Sequence, residues 1–517
     1  MRNRDRWVAA AAAIAIALAL LVPVWAATRL APAGTTFAGF LLNPIDGFSY
    51  LAKMRQGWEG SWSFQLPYAP QPGAGAFLFA YYLLLGHVAR LLGASLVVTL
   101  HAARTVAAAA MFLACYRFLE EFIADRSSRW TAYALCLIGA GWGWLGIPFG
   151  FVASDLSIPE TTPFLSAYAN AHFPLAIACV LLAGVGILGA PAGSRRWIVG
   201  MLAVGAVLAL VLPFVLLPAV AVLLIGILVI ALQDRRAGAP LSLPRRLAGL
   251  GAFLVGAAPY AAYGVWLLST RPDLAAWNAQ NQTPSPAVGA YLLGFAPLLL
   301  LAASAVIGNR EQRRVVWLLL AWVVAQSALL YAPLALQRRL SLGLFVPLAA
   351  LAALGLAALP RSAWRRPLTI LALASAIPSN LIVLAAGLGG VARAEPLLIQ
   401  SVDESCAITW LAANAEPGSL ILAGETAGNR IPAFANVRVV YGHPFETPNA
   451  DEELAQVEWL FGASTDLTEA SPVLESRGVD FVYFGPEEKA LGPAAWPEEL
   501  TTVCTCGQVI IARVQAP

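Results

Sequence analysis

Apolar runs separated by short polar loops fill most of the first 388 positions. They fall at 7–27, 95–116, 130–150, 171–189, 197–213, 216–232, 247–268, 287–307, 315–336, 340–360 and 367–388. A hydrocarbon core about 30 Å thick takes roughly 20 residues of helix to cross, so this pattern predicts about eleven transmembrane helices. The stretch 197–232 is broken by Pro213 and Pro218 and reads as two short spans with a tight outer turn. The first run follows Arg2, Arg4 and Arg6. At about 20 residues it is longer than a signal-peptide core of roughly 7–15, so it reads as an uncleaved first span.

A further apolar run, 74–92, carries Tyr81, Tyr82, His87 and Arg90, residues that suit a helix lying at headgroup level. Charge separates that reading from a span, because Lys and Arg concentrate in cytoplasmic loops. With 74–92 on the surface, Arg195–Arg196, Arg235–Arg236, Arg245–Arg246, the Arg310 to Arg314 loop and the Arg361 to Arg366 loop all join the amino terminus in the cytoplasm. If 74–92 spans, they all flip outward. The surface reading puts three polar loops outside: 28–94, with interfacial helices, 151–170 and 269–286.

From about residue 389 the pattern changes. "SLILAGE", "RVVYG", "DFVYFG" and "QVIIARV" are short β-type runs bounded by Gly and Pro. "DESCAITWLAANA" and "DEELAQVEWLFGA" have helical spacing and open on acidic residues, which suit a helix start. The expected architecture is a polytopic α-helical membrane domain over 1–388 and a soluble extracytoplasmic α/β domain over 389–517.

Composition agrees. The chain is 59% apolar and only 12% charged, against about 25% charged in soluble proteins, and its mean hydropathy is +0.72. A net charge of +3 conceals a division: residues 1–388 hold 26 Lys and Arg against 11 Asp and Glu, and residues 389–517 hold 6 against 18. The positive charge is scattered over short loops, which argues against a nucleic-acid partner. Lys53 and Lys489 are the only lysines, and the Ala- and Arg-rich composition points to a GC-rich bacterium, hence to its inner (cytoplasmic) membrane. Cys115, Cys136 and Cys179 lie in apolar stretches. Cys406, Cys504 and Cys506 lie in the tail, where Cys406 could pair with either of the others in an oxidising compartment.

Ionisable groups at a membrane are costly, so each is a candidate for function. Five acids of the membrane part face outward in this topology: Asp46, Glu59, Asp155, Glu160 and Asp273. Asp46 opens "NPIDGFSYLAKMRQGWEGSW", whose helical spacing sets Tyr50, Lys53 and Met54 near one face with Trp58, beside Arg55. Asp46 stands at the start of that helix, as its cap or as a catalytic carboxylate. Asp155 and Glu160 in the second loop offer oxygen ligands of the kind Mg²⁺ or Mn²⁺ takes. His172 begins the fourth span. Arg338 and Arg339 lie outward, against the charge rule, and read as snorkelling side chains or as a clamp for phosphate. In the tail, "YGHPFETPNADEE" gathers His443, Glu446, Thr447 and Asn449 in a strand-to-helix loop.

A first span, an outer loop opening on Asp46 and aromatics, the proline-led "PQPGAGAFLFAYYLLLGHVARLLG" and then "HAARTVAAAAMFLACYRFLEEF" together resemble the GT-C superfamily of polytopic glycosyltransferases. Its members include protein O-mannosyltransferases, aminoarabinose transferases and the catalytic oligosaccharyltransferase subunit. The resemblance covers roughly 1–190. Asp46 matches the family's first-loop catalytic Asp, and Arg104 its basic residue early in the second span. Two departures stand out: Gly47 follows Asp46 where an acidic pair is common, and the second loop has no Asp-x-Asp. The resemblance implies transfer of a sugar from a polyprenyl-phosphate-linked donor to a glycan, lipid or protein acceptor on the outer face, by an inverting displacement. Asp46 would be the base, and Tyr50, Lys53, Arg55, Arg104, His172, Arg338, Arg339 and His443 would hold substrate. The rival expectations are a transporter or flippase of a lipid-linked glycan and a non-catalytic envelope assembly protein.

Overall fold

The computed structural model describes residues 2–191, 193–240, 242–308, 312–359, 365–462, 467–492 and 500–514. Arg310 and Arg361 of the predicted cytoplasmic loops lie outside them. All eleven apolar runs lie largely on helix. Among the described residues, five helices are long and apolar enough to cross a membrane: Asn3–Leu30, Leu96–Phe122, Pro213–Arg236, Leu243–Thr270 and Arg366–Ala392. Two bent pairs bring the number to seven if each is one span. They are Arg126–Ile138 with Gly143–Phe149, bent by 52°, and Val288–Gly294 with Ala296–Gly308, bent by 77°. Only 22% of the best windows of Leu243–Thr270 and Arg366–Ala392 is buried, so their apolar faces look outward, as lipid-facing helices must. The chain is a multi-pass membrane protein with five to seven candidate spans.

The predicted count of about eleven is not reached by length and composition. His172–Leu188, Arg195–Val211 and Arg313–Leu329 each have 17 residues and Phe345–Ala358 has 14. At 1.5 Å per residue these rise about 21–26 Å, less than the hydrocarbon thickness. Phe345–Ala358 is instead enclosed by protein, with every residue from Phe345 to Leu356 buried.

The chain divides into two compact units. One comprises Met1–Val22, Ala102–Trp266 and Thr283–Ala386, and the other Pro23–His101, Leu267–Gln282 and Gly387–Pro517. The first is helical. The second joins the predicted first outer loop, most of the predicted third and the whole tail.

In the second unit, Pro44–Trp58 and Ala80–Leu92 pack side by side. A Cβ on Gly57 would come within 2.1 Å of the Leu83 carbonyl oxygen, and one on Gly86 within 2.0 Å of that of Met54. The two backbones meet where neither helix has a side chain. Ala80–Leu92 has 13 residues, about 20 Å of helix, and is too short to span.

The tail forms a five-stranded mixed sheet in the order β4-β3-β5-β7-β6. The strands are β3 Leu420–Leu422, β4 Arg438–Val439, β5 Phe481–Phe484, β6 Thr501–Cys506 and β7 Val509–Arg513. β3 runs parallel to β4 and β5, while β7 pairs antiparallel with β5 and β6. The four predicted runs supply β3, β4, β5 and β7. The edge strand β6, polar in sequence, was not predicted. Val402–Asn414 and Ala450–Phe461 are the two predicted helices. Ser401 caps the first, its hydroxyl accepting from the Glu404 amide at 3.1 Å while Glu404 accepts from the Ser401 amide at 2.8 Å. A short antiparallel ribbon, β1 Thr35–Phe37 with β2 Ile399–Ser401, ties the start of the first loop to the start of the tail. Cys406 and Cys506 form a disulfide that joins Val402–Asn414 to β6, and Cys504 remains a thiol 3.6 Å from Cys506 Sγ.

Candidate active site

Pro44–Trp58 begins at Asn43, whose φ of 50° places it in the left-handed region that Asn tolerates better than most residues, with Pro44 at the first helical position. Asn43 therefore occupies the cap position, and Asp46 sits within the first turn. The Asp46 side chain is 40% exposed. An ideal Cβ on Gly47 would lie 2.5 Å from the Phe40 ring. That contact explains the absent acidic pair: no side chain fits after Asp46.

The partners of this helix come from the tail. Thr447 Oγ1 accepts hydrogen bonds from the Gly442 and His443 amides at 3.3 and 3.2 Å, folding the loop after β4 back on itself. That fold brings His443 Nε2 to 3.3 Å from Asp46 Oδ1. It also brings Glu446 onto Lys53, with Nζ 2.7 Å from Oε1 and 2.8 Å from Oε2. Lys53 Nζ also donates to Ser49 Oγ at 3.1 Å and lies 4.5 Å from the centre of the Phe79 ring. Lys53 is fully buried. Burial pushes the Glu446 carboxyl up, but the Lys53 ammonium, the His443 imidazole and the Ser49 hydroxyl together outweigh it and hold the group below its ordinary value. Three phenols close the surroundings. Tyr50 and Tyr82 stack at 4.6 Å and 2°, and burial, with the nearby carboxylates, raises the Tyr68 and Tyr82 hydroxyls.

The structure thus gives Lys53 a different part from the expected one. Its charge holds the tail loop to the first-loop helix, and no face of it stands open for substrate. Arg55 pairs with Glu59 at 2.8 Å, and Asp273 with Arg271 at 2.6 Å, so two of the five outward acids belong to local ion pairs. Arg104 is buried and donates to the backbone carbonyls of Tyr168 at 2.6 Å and Leu20 at 3.3 Å. These are helix-tethering bonds, unlike the substrate contact expected of it. His172 is buried at the start of its helix, edge-on to Phe173 at 4.4 Å.

In the other unit, Asp155 is fully buried, and its Oδ2 accepts from the Gly141 and Gly143 amides at 2.9 and 3.2 Å. Burial raises its carboxyl, opposed by the Ser379 hydroxyl and those amides. Its Oδ1 would lie 2.1 Å from a Cβ on Gly143. Glu160 is buried on Pro159–Thr161. No group of three or more His, Cys, Asp or Glu that could hold a metal occurs among the described residues. The Asp155–Glu160 pair therefore does not fit the expected Mg²⁺ or Mn²⁺ site, because one carboxylate already serves backbone amides in a closed space. Pro159–Thr161 does pack on Gln337–Ser341, and Tyr291 lies within electrostatic reach of both Glu160 and Arg338. Arg338 Nε is buried without a hydrogen-bond partner, and the Arg339 guanidinium sits 5.7 Å over the Phe214 ring.

No protein-family model matches the chain, and none of the curated proteins matches it. Solved structures do. ArnT from Cupriavidus metallidurans in the apo state aligns over 97% of this chain and 97% of its own, with a TM-score of 0.57 at 14% identity. The same protein bound to undecaprenyl phosphate aligns over 97% and 98%, with 0.55 at 15% identity. Arabinofuranosyltransferase AftD from Mycobacteria aligns over all of this chain and 40% of its own, with 0.57 at 15% identity. The chain has the GT-C glycosyltransferase fold. Sequence reasoning placed Asp46, Lys53, His443 and Glu446 on the right elements but missed that they meet. One signal pointed that way: a lysine on an otherwise apolar helix face demands a carboxylate. Nothing in the sequence said which carboxylate.

Proposed function

We propose that the chain is a glycosyltransferase moving a sugar from a polyprenyl-phosphate-linked donor to an acceptor at the outer face of the cytoplasmic membrane. The observation that carries this reading is the Asp46 carboxylate, partly open to solvent and held at one oxygen by His443. Asp46 takes the proton of an acceptor hydroxyl as its oxygen bonds to C1 of the sugar. The C1–oxygen bond to the polyprenyl phosphate breaks, and the anomeric centre inverts. Arg338 and Arg339 take the phosphate. The buried Arg338 Nε lacks a hydrogen-bond partner, an expensive state that a phosphate oxygen relieves bidentately with the rest of the guanidinium. The undecaprenyl phosphate bound to the ArnT of the same fold supports this donor class. The topology that goes with this reading is an odd number of membrane passes, with the amino terminus in the cytoplasm and the tail outside. The acceptor is a glycan, lipid or protein.

The test is the full chain in liposomes carrying undecaprenyl-phosphate-linked pentoses or hexoses, with release of undecaprenyl phosphate as readout. Asp46→Asn should abolish release while the protein remains folded. Equal release by wild type and variant, or flipping of the lipid without bond cleavage, overturns the reading.

A further inference from the structure

The loop that carries His443 is anchored on two sides. Glu446 is bound to Lys53 and accepts from Ser49 at 3.0 Å, and Gln280 Oε1 accepts from the Asn449 amide at 3.1 Å while its Nε2 donates to the Thr447 carbonyl. The imidazole between these anchors is 2% exposed. Its two nitrogens face different partners. Nδ1 accepts from the Phe445 amide at 3.1 Å. A peptide N–H only donates, so Nδ1 carries no proton and the ring proton resides on Nε2. Nε2 faces Asp46 Oδ1.

We propose that His443 is a positioning residue for Asp46: the tail supplies a buried Nε2–H donor that fixes the orientation of the carboxylate of the first outer loop. The proposal rests on the reading of Asp46 as the base. The last torsion of a carboxylate side chain is broad. A bond from a ring that cannot turn narrows the range of its plane. The other titratable groups around the pair are Lys53 and Glu446, which neutralise each other, and the phenols Tyr50, Tyr68 and Tyr82. The tail is thus part of the reaction centre and more than a cover over it.

Two measurements test this. The chain has four histidines, so full-length protein labelled with ¹⁵N-histidine in lipid gives a small set of imidazole signals by solid-state NMR at pH 8, assigned by loss in His443→Gln. We expect His443 to show a bare Nδ1 and a protonated Nε2, with Asp46→Asn shifting that Nε2 signal and leaving the other three rings unmoved. A proton on Nδ1, or an Nε2 signal indifferent to Asp46→Asn, overturns the proposal. The second measurement is turnover of undecaprenyl-phosphate-linked sugar. His443→Ala should lower kcat roughly 10- to 100-fold, with the donor KM within about twofold. His443→Gln, which keeps an N–H donor, should recover to within about fivefold of wild type. Equal activity of wild type and Ala, or Gln as poor as Ala, overturns the role. Wild type inactive on every donor sinks the base reading instead, and the NMR still decides whether the contact exists.

Discussion

Asp46 and Asp155 are the same residue type in comparable places, each in an outer loop of the predicted topology and each followed by aromatics or prolines. Their surroundings differ. Asp155 is buried, and one of its oxygens serves two backbone amides of the Gly141–Gly143 turn. It fastens a loop that would otherwise leave peptide donors unsatisfied. Asp46 remains partly exposed and takes a side-chain donor from the far end of the chain. A carboxylate closed in by backbone amides stabilises a fold. One that stays partly exposed beside a buried ring keeps an oxygen accessible, as the proposed base requires.

The largest expected effect breaks or keeps this contrast directly. Asp46→Asn should lower turnover about 10²–10⁴-fold with an unchanged melting temperature. Asp155→Asn should instead cost about 1–3 kcal/mol of stability, read by thermal denaturation, with near-normal turnover per folded molecule. The contrast fails if the two variants exchange phenotypes. Next in size is the Lys53–Glu446 pair. Glu446→Gln leaves a buried ammonium without its counter-charge and should destabilise the second unit by about 3–5 kcal/mol. The double change Lys53→Met with Glu446→Leu should return most of that stability in the same denaturation assay. Third, Arg338→Gln should raise the KM for an undecaprenyl-phosphate donor about tenfold or more, as loss of a charged hydrogen bond of roughly 1.5–3 kcal/mol requires, with little change in kcat. Fourth, Gly47→Ala drives a methyl into Phe40 and should cost about 1–3 kcal/mol. It should also lower turnover by tilting the first turn that carries Asp46, whereas Gly251→Ala, with open space around it and no left-handed backbone, should cost less.

The smallest effect is a pH dependence. Glu446 is held below its ordinary value of 4.5 in the folded chain. The stability it contributes is complete above that value and is lost as acidification carries the pH through the folded value. The melting temperature of wild type should therefore fall faster than that of the Lys53→Met, Glu446→Leu double variant below about pH 4.5, and run parallel to it above.

Much of the architecture was legible because hydropathy and alternation are local properties. The apolar runs became helices, and "SLILAGE", "RVVYG", "DFVYFG" and "QVIIARV" became strands of one sheet. What stayed hidden depends on distance or on exceptions. Glu425–Phe434 contains Gly428 and Pro432, which mask a helix in any propensity reading, yet it packs on Pro44–Trp58 and completes the second unit's core. The shortness of Phe345–Ala358 follows from burial inside a bundle, where no bilayer thickness sets its length. Asp46 was readable as a candidate from its position, but its link to His443 crosses 397 residues and Lys53 reaches Glu446 across 393. Arg104 was singled out by its match to the basic residue early in the family's second span, and the fold shows that carbonyls of Tyr168 and Leu20 occupy it.

The second unit is stitched from three separated stretches, the last beginning at Gly387. Asp46 leaves the ribosome long before His443, Glu446 or the closing strands exist. A nascent chain carries Asp46 before His443 exists, and Lys53 before its Glu446 partner. If Asp46 is the base proposed above, its surroundings are completed only at the end of synthesis, and a chain that stops before the tail should be inactive.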